Sequence, residues 1–464
     1  MEYVAHDLVR VWKTAGPGRS LGDLVTVLYR GDGLEVLDRA TALTKVRLNG
    51  LEAWVRGRLQ TTPTPLLAFA FIDVGQGDAC LITTPGGQRL LVDGGENQLA
   101  ARYLAARFWS ETVQGRDVPF DAIIVTHGDA DHFDGLSTLV LDAAAEKRER
   151  KRINIAARRV FHNGLVRRPS SIPERQQLGP TVDVHGDDYV RVVDDPRVVA
   201  DCNRPFSRWN RALDDLCTRG ATTVSRLDAT MIDSFNFLPD VSVTVLGPHV
   251  RALPDGSFAL PLLGNENGAG VSASRTINGH SIVLKFKYGN VTALLTGDTH
   301  AAAQEHLRQQ QFDLRADVLK VPHHGSEDVS RTFIEAVQPL VSVISAGDED
   351  ARRDYLHPRA NLLAMLGQSR RGAEPVVFVT NLAAFDKWEG EAFYAIKDGE
   401  NWKPDLNRGT FYARQRTAYG IIHVRTDGER LVVIRRGARA DRQEAYAYVV
   451  ASDGSAVSSP ISSV

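Results

Sequence analysis

Sulfur is scarce in this chain: three cysteines and three methionines among 464 residues. The cysteines (Cys80, Cys202, Cys217) include no C-x-x-C pair, which excludes a disulfide framework and a cysteine zinc site. Cys80 lies in a predicted strand and reads as a small core residue; Cys202 and Cys217 have no motif context. No run of about 18 apolar residues occurs, nor a charged-then-apolar leader. A membrane span is therefore not predicted, and the expected location is the cytoplasm. Excess charge is absent too: the formal net charge is −2, which argues neither for nor against a nucleic-acid partner. What remains, 43% hydrophobic and 24% charged residues, is the composition of an ordinary globular protein long enough for more than one domain.

Chemistry concentrates in one stretch, Thr126-His127-Gly128-Asp129-Ala130-Asp131-His132. It follows the apolar run from Asp121 to Val125, which reads as a buried strand. Carboxylates at that density beside a core strand are costly unless paired or metal-bound. Other segments repeat the arrangement. Phe71-Ile-Asp73-Val-Gly75-Gln76-Gly77-Asp78 and Leu90-Leu-Val-Asp93-Gly94-Gly95 read as strands ending in glycine turns. Val291 to Thr299 carries Thr-Gly297-Asp298, and Asp317 to Ser326 carries Lys320-Val-Pro322-His323-His324-Gly325. Successive strands thus deliver polar groups at their carboxyl ends.

The spacing His-x-Asp-x-Asp-His resembles the signature of the metallo-β-lactamase superfamily, usually His-x-His-x-Asp-His. Together with Asp-Val-Gly-Gln-Gly-Asp, Thr-Gly-Asp and Leu-Lys-Val-Pro-His-His-Gly-Ser, it is similar to the soluble hydrolase domain of ComEC-type DNA-uptake proteins. Tyr355-Leu-His357-Pro358 is similar to a His-Pro element of the same branch. The resemblance covers about residues 67–385. It implies an α/β fold, an αββα sandwich with metals at one edge, and hydrolysis of phosphodiesters. ComEC proteins also carry a membrane channel, for which this chain shows no segment.

Residues 1–62 read as a separate unit, with short strands alternating with Gly-Asp, Asp-Gly and Asn-Gly turns. The Asn49-Gly50 hairpin leading to Trp54 resembles a bacterial SH3-like barrel, which implies a protein or peptide partner. Thr61-Thr-Pro-Thr-Pro65 supplies a linker. The hydrolase is expected over residues 66–464, with an insertion at about 165–275 and a C-terminal strand extension. A helix is expected from near Ser137, and the Ser-rich residues 452–464 are expected to fray. Nine basic side chains lie between Lys147 and Arg168 (Lys147, Arg148, Arg150, Lys151, Arg152, Arg158, Arg159, Arg167, Arg168). They either line an approach for a polyanion or form a solvated face.

For the site we expect two divalent ions, Zn²⁺ or Mn²⁺. His127 and Asp129 would serve the first, Asp131 and His132 the second, with Asp298 bridging and His323 completing the second. Asp129 in place of a histidine shifts preference toward Mn²⁺, although intrinsic affinity still favours zinc. Two ions about 3.5–4 Å apart would activate a shared water and neutralise charge on the reacting oxygens. Asp131 thereby takes a catalytic role, and His324 and His357 are candidate general acids; alternatively His324 orients His323. His280 is a further ligand candidate, and His162 reads as structural. The leading function is a nuclease acting on DNA. The alternatives are a phosphodiesterase for cyclic nucleotides or phosphorylated headgroups, and a binding protein with a vestigial hydrolase domain.

Overall fold

The computed structural model describes all residues except 16–20, 49, 144–145, 147–150, 265–269, 348–356, 370, 385–389, 394, 399–400, 405–409, 414–415 and 437–442. Asn49, Lys147, Arg148, Arg150, Tyr355 and most of the loop 264–270 therefore lie outside the described residues.

Two sheets face one another. The first has ten strands in the spatial order 223–226, 159–162, 122–124, 89–92, 80–83, 67–71, 422–426, 430–436, 443–450 and 456–459. The second has six: 242–247, 283–288, 291–295, 318–320, 341–344 and 376–379. Between them lies a continuous apolar layer that includes Phe69, Ile82, Ile124, Phe286, Ala293, Val341 and Val433. Strands 122–124 and 341–344 are buried along their whole length. Parallel strands covered on both faces are expected to read as unbroken apolar runs, as these do.

Helices cover the outer faces. Leu99–Arg107, Ala130–Leu141 and Arg204–Arg219 pack on the first sheet. Ala301–Gln309, Arg331–Val337 and Ala360–Gln368 pack on the second. This is the expected αββα sandwich. Helix 204–219 shows why the chain folds so: Asn203 caps it by accepting from Phe206 N–H at 3.0 Å, and Pro205 occupies its first turn. Phe206, Trp209, Leu213 and Leu216 then fall on one face at helical spacing and are all buried. Each such side chain contributes about 1.5–3 kcal/mol when removed from water.

Several expectations change in detail. The helix expected from Ser137 begins at Ala130, so Asp131 and His132 sit in its first turn. Within residues 165–275, strands 223–226 and 242–247 are edges of the two main sheets. The added material is helix 204–219 and a four-stranded sheet of 181–184, 187–191, 258–261 and 251–252. The Ser-rich end does not fray: strand 456–459 pairs with 447–450. Beyond it, Leu8 N–H donates to Ser462 O at 3.1 Å and Val464 N–H to Leu8 O at 3.0 Å.

The N-terminal unit is all-β, but its seven strands form an open antiparallel order, 21–29, 8–15, 51–56, 43–48, 33–39, 2–4 and 61–62. No pairing joins the first of these to the last among the described residues, so the expected closed barrel is not formed. Val27 and Tyr29 instead pack on Val432, Ile434 and Ala447 of the large sheet. Fully buried Asp7 ties the two units together through Arg30 at 3.0 Å and Arg430 at 2.5 Å.

Candidate metal centre

The carboxyl ends of the strands meet along one edge of the sandwich. Strand 122–124 leads through Thr126 to His127 and then into helix 130–141, which projects Asp131 and His132. Strand 291–295 leads to Asp298, whose N–H donates to Ser281 Oγ at 3.0 Å. Strand 318–320 leads to Pro322, His323 and His324. Gly77 lets the first loop press against this assembly: a Cβ there would lie 2.0 Å from Asp131 O, and its φ is +105°.

Four side chains converge on one point. His132 Nε2 lies 3.3 Å from Asp298 Oδ2 and 3.9 Å from Asp131 Oδ1. His324 Nε2 lies 3.0 Å from Asp298 Oδ2 and 3.2 Å from Asp131 Oδ2. These separations suit neighbouring donors around an ion bonded at about 2.0–2.2 Å. His127 offers its ring nitrogen within 4.8 Å of His132 and Asp298. The residues fit a divalent metal by an independent sign: Nε2 of His127, His132 and His324, Nδ1 of His323 and Oδ1 of Asp298 are all buried without a hydrogen bond. Orphaned nitrogens of this kind are rare unless they serve a ligand.

A supporting layer aims the rings. His132 Nδ1 donates to Asp93 Oδ2 at 2.9 Å, and Asp93 also accepts from Thr126 N–H at 2.8 Å and Thr126 Oγ1 at 2.7 Å. His324 Nδ1 donates to Ser345 O at 2.9 Å. Both bonds set the tautomer that leaves Nε2 free for metal. Lys320, 4% exposed, pairs with Asp78 and lies 3.5 Å from Asp298 Oδ1.

The electrostatics follow from this crowding. Burial alone would raise the carboxyl pKa of Asp298, but His324, His132 and Lys320 hold it well below the usual range. For Asp78, Lys320 and His324 overcome burial and bring it down to about 2. Burial would lower the imidazoles of His132 and His324, yet Asp298, with Asp93 beside the first and Asp78 beside the second, raises both. For His127, burial, helped by the His132 charge, outweighs the pull of Asp298 and Asp131 and holds the imidazole well below its usual range.

Two expected ligands are placed differently. Asp129 Oδ1 accepts from Arg167 at 2.8 Å. With the Asn278 amide oriented to satisfy both its ends, Asn278 donates to Asp129 Oδ2 at 3.0 Å. Burial and the Asp131 charge push the Asp129 carboxyl up to about 6, against the pull of Arg167. His324 faces the carboxylates, while His323 stands in the cleft wall with its Nε2 3.5 Å from Asn278 and its Nδ1 buried without a hydrogen bond. His323 and His324 both adopt left-handed backbone (φ 48° and 51°), a turn that distance from the strand end does not reveal. His357 lines the same cleft, and burial, with the His324 and His323 charges, takes its pKa down to about 4.

His280 donates from Nε2 to Pro261 O at 2.8 Å and lines a separate apolar cavity of about 180 Å³. His162 uses both nitrogens on the backbone, with Asp194 O at 2.9 Å and Gly164 N–H at 3.0 Å, and is structural. Asp78, Asp93 and Lys320 were present in the motifs as strings, but nothing in the string marks them as orienting groups. Arg167 stood undistinguished among nine basic residues.

Over the centre lies a cleft of about 680 Å³, lined by Asp129, Asp131, Arg167, Arg275, Asp298, His323 and His324 among others. A buried His and Asp cluster opening to such a cleft is a candidate metal centre with room for a ligand beside it. The metallo-beta-lactamase superfamily model matches residues 72–201. ComE operon protein 3 of Bacillus subtilis (strain 168) is 36% identical over 90 residues, 19% of this chain and 11% of that protein. The uncharacterized protein YcaI of Escherichia coli (strain K12) is 37% identical over 78 residues, 16% of this chain and 10% of that protein. This chain thus spans about a tenth of the length of the curated relatives it matches. The metallo-beta-lactamase fold protein YhfI from Bacillus subtilis aligns over 68% of this chain and 96% of its own, at 11% identity and a TM-score of 0.31. The chain is thus similar to the metallo-beta-lactamase superfamily over residues 72–201, and to ComE operon protein 3 over a 90-residue segment. No described helix is long and apolar enough to cross a membrane.

Proposed function

We propose that the chain is a metal-dependent phosphodiesterase that cleaves DNA. The observation that carries the reading is the cleft itself. His132, Asp131, Asp298 and His324 converge on one point at its floor, and the cations Arg167 and Arg275 stand in its wall. A divalent ion, Zn²⁺ or Mn²⁺, would there activate water and neutralise charge gathering on the phosphoryl oxygens. The protein's part is to hold the diester against that ion. Arg167 is half-exposed and fixed on both sides, by Asp129 at 2.8 Å and Ser274 Oγ at 2.9 Å, so its guanidinium is preorganised for an anionic oxygen.

A smaller diester is the second reading, and the basic segment favours it. Arg158 pairs with Asp121 at 3.6 Å, Arg159 stacks on Phe237 at 4.1 Å, and Arg168 pairs with Asp201 at 2.9 Å. Arg152 donates to Glu146 O at 2.8 Å. Of the described members, Arg167 is the one that lines the cleft. The test is cleavage of linear and circular DNA with Mn²⁺, with Asp131→Ala as control. Cutting by wild type alone supports the nuclease. No cutting by metal-loaded protein, with turnover of a small diester, transfers the assignment to the second reading.

A further inference from the structure

We propose that the cavity beside His280 is a second binding site, and that it takes a small neutral aromatic molecule carrying an O–H or N–H donor. This site is independent of the metallohydrolase reading above.

The cavity lies behind the metal centre. Helix Ala273–Gly279 divides it from the cleft: Ser274, Arg275 and Asn278 line the cleft, whereas Gly279 and the following His280 line the cavity. Two further lining residues flank a candidate ligand. Ser281 Oγ accepts from Asp298 N–H at 3.0 Å, and Thr299 is the next residue along from Asp298.

Its size and walls suit one ring. The volume is about 180 Å³, and an apolar cavity of about 150 Å³ already admits benzene. Pro248, Pro261, Leu263, Val283 and Leu307 supply carbon surface. Among the described residues, no Asp, Glu, Lys or Arg lines it. Burial takes the His280 imidazole down to about 4 and also lowers that of His249. Neither ring is therefore charged at pH 7, and a phosphate or other ion would shed its hydration here without meeting a fixed counter-charge.

The polar groups call for a donor. His280 donates from Nε2 to Pro261 O at 2.8 Å, so the neutral ring keeps a lone pair on Nδ1. His249 Nε2 and Thr299 Oγ1 are buried without a hydrogen bond. The His249 ring is stacked on Phe312, with centroids 5.7 Å apart and planes at 18°. Thr299 is 1% exposed. Buried polar atoms left in this way are rare unless water or a ligand completes them. A ring with an O–H or N–H offers these groups a partner, and a bare hydrocarbon offers none.

The test titrates phenol, toluene and N-methylpyridinium, a cation of toluene's shape, calorimetrically into the full chain. Two variants accompany wild type: Ala302→Phe, and His249→Phe combined with Thr299→Val. Ala302 lines the cavity from an exposed position on helix Ala301–Gln309, so a ring there should obstruct the site at little cost to folding. Phenol and toluene should bind wild type, N-methylpyridinium at least about tenfold more weakly than toluene, and Ala302→Phe should abolish binding of all three. The double variant should keep toluene and bind phenol at least about threefold more weakly, the scale of one net hydrogen bond. No phenol binding by wild type would overturn the proposal. So would phenol binding that survives Ala302→Phe, a cation bound as well as toluene, or an unchanged ratio of phenol to toluene affinity in the double variant. The wild-type titrations remain decisive even if a variant folds poorly.

Discussion

Replacing Asp93 by Asn tests whether the layer behind the ligands controls metal binding. Asp93 is 1% exposed and accepts three hydrogen bonds: Thr126 N–H on Oδ1, and Thr126 Oγ1 and His132 Nδ1 on Oδ2. Its φ of +58° is a conformation that Asn also tolerates, so the backbone should survive. The amide has one acceptor end and one donor end. If its oxygen keeps Thr126 N–H, its NH₂ confronts His132 Nδ1–H, and the ring must move its proton to Nε2. That removes the lone pair aimed at the metal. If the amide turns over, His132 is satisfied but two buried N–H groups oppose each other at Thr126, costing about 1–3 kcal/mol. Loss of a ligand's orienting partner lowers metal affinity about 10–100-fold, equivalent to about 1.4–2.8 kcal/mol. We therefore expect Asp93→Asn to fold and to bind Zn²⁺ about 10–100-fold more weakly in competition with a chromophoric chelator. Wild-type affinity in Asp93→Asn, with Asp131→Ala binding no metal, would refute the reasoning.

Three further outcomes follow from the same geometry. In the metal-free chain the pKa values of His132 and His324 are raised, because the surrounding carboxylates outweigh burial. The stability linked to these protons is complete below the unfolded value, about 6.5, and is lost as pH rises through the folded values. Metal must displace those protons, so calorimetry at pH 7 in buffers of differing ionisation enthalpy should register release of about one to two protons per ion; none released would contradict the assignment. His324→Ala should lose bound metal while His323→Ala keeps it, and the reverse pattern in a metal assay would return the ligand role to His323. Gly77→Ala puts a Cβ 2.0 Å from Asp131 O at a φ of +105°. It should lower stability by about 2 kcal/mol or more and deplete metal, and a wild-type melting curve would count against the close packing of these loops.

Much of the sandwich could be read from the chain because buried parallel strands leave a local trace. Residues 122–125 and 293–295 are unbroken apolar runs followed within three residues by His127 and Asp298, and each belongs to a core strand that leads to the metal edge. The helix start was harder: the N-cap residue Asp129 reads in the sequence as a metal ligand, and its side chain makes no cap hydrogen bond. The closed N-terminal barrel was inferred from turns and one Trp, features that a folded-over sheet and an open one share. Its Val27 and Tyr29 find their partners about 400 residues away, a contact no local pattern encodes.

By itself, then, the sequence determined which residue types reach the edge of the sandwich and in what order, because strand alternation and apolar runs act over a few residues. The tertiary structure decided their roles. Arg167 meets Asp129 from 38 residues along the chain, His132 meets Asp93 from 39, and strand 422–426 completes the first sheet beside 67–71. Which aspartate meets an arginine, and which of two adjacent histidines faces the carboxylates, depends on groups brought together only by folding. Charge and hydrogen bonding act through space at about 3 Å, and distance along the chain does not record them.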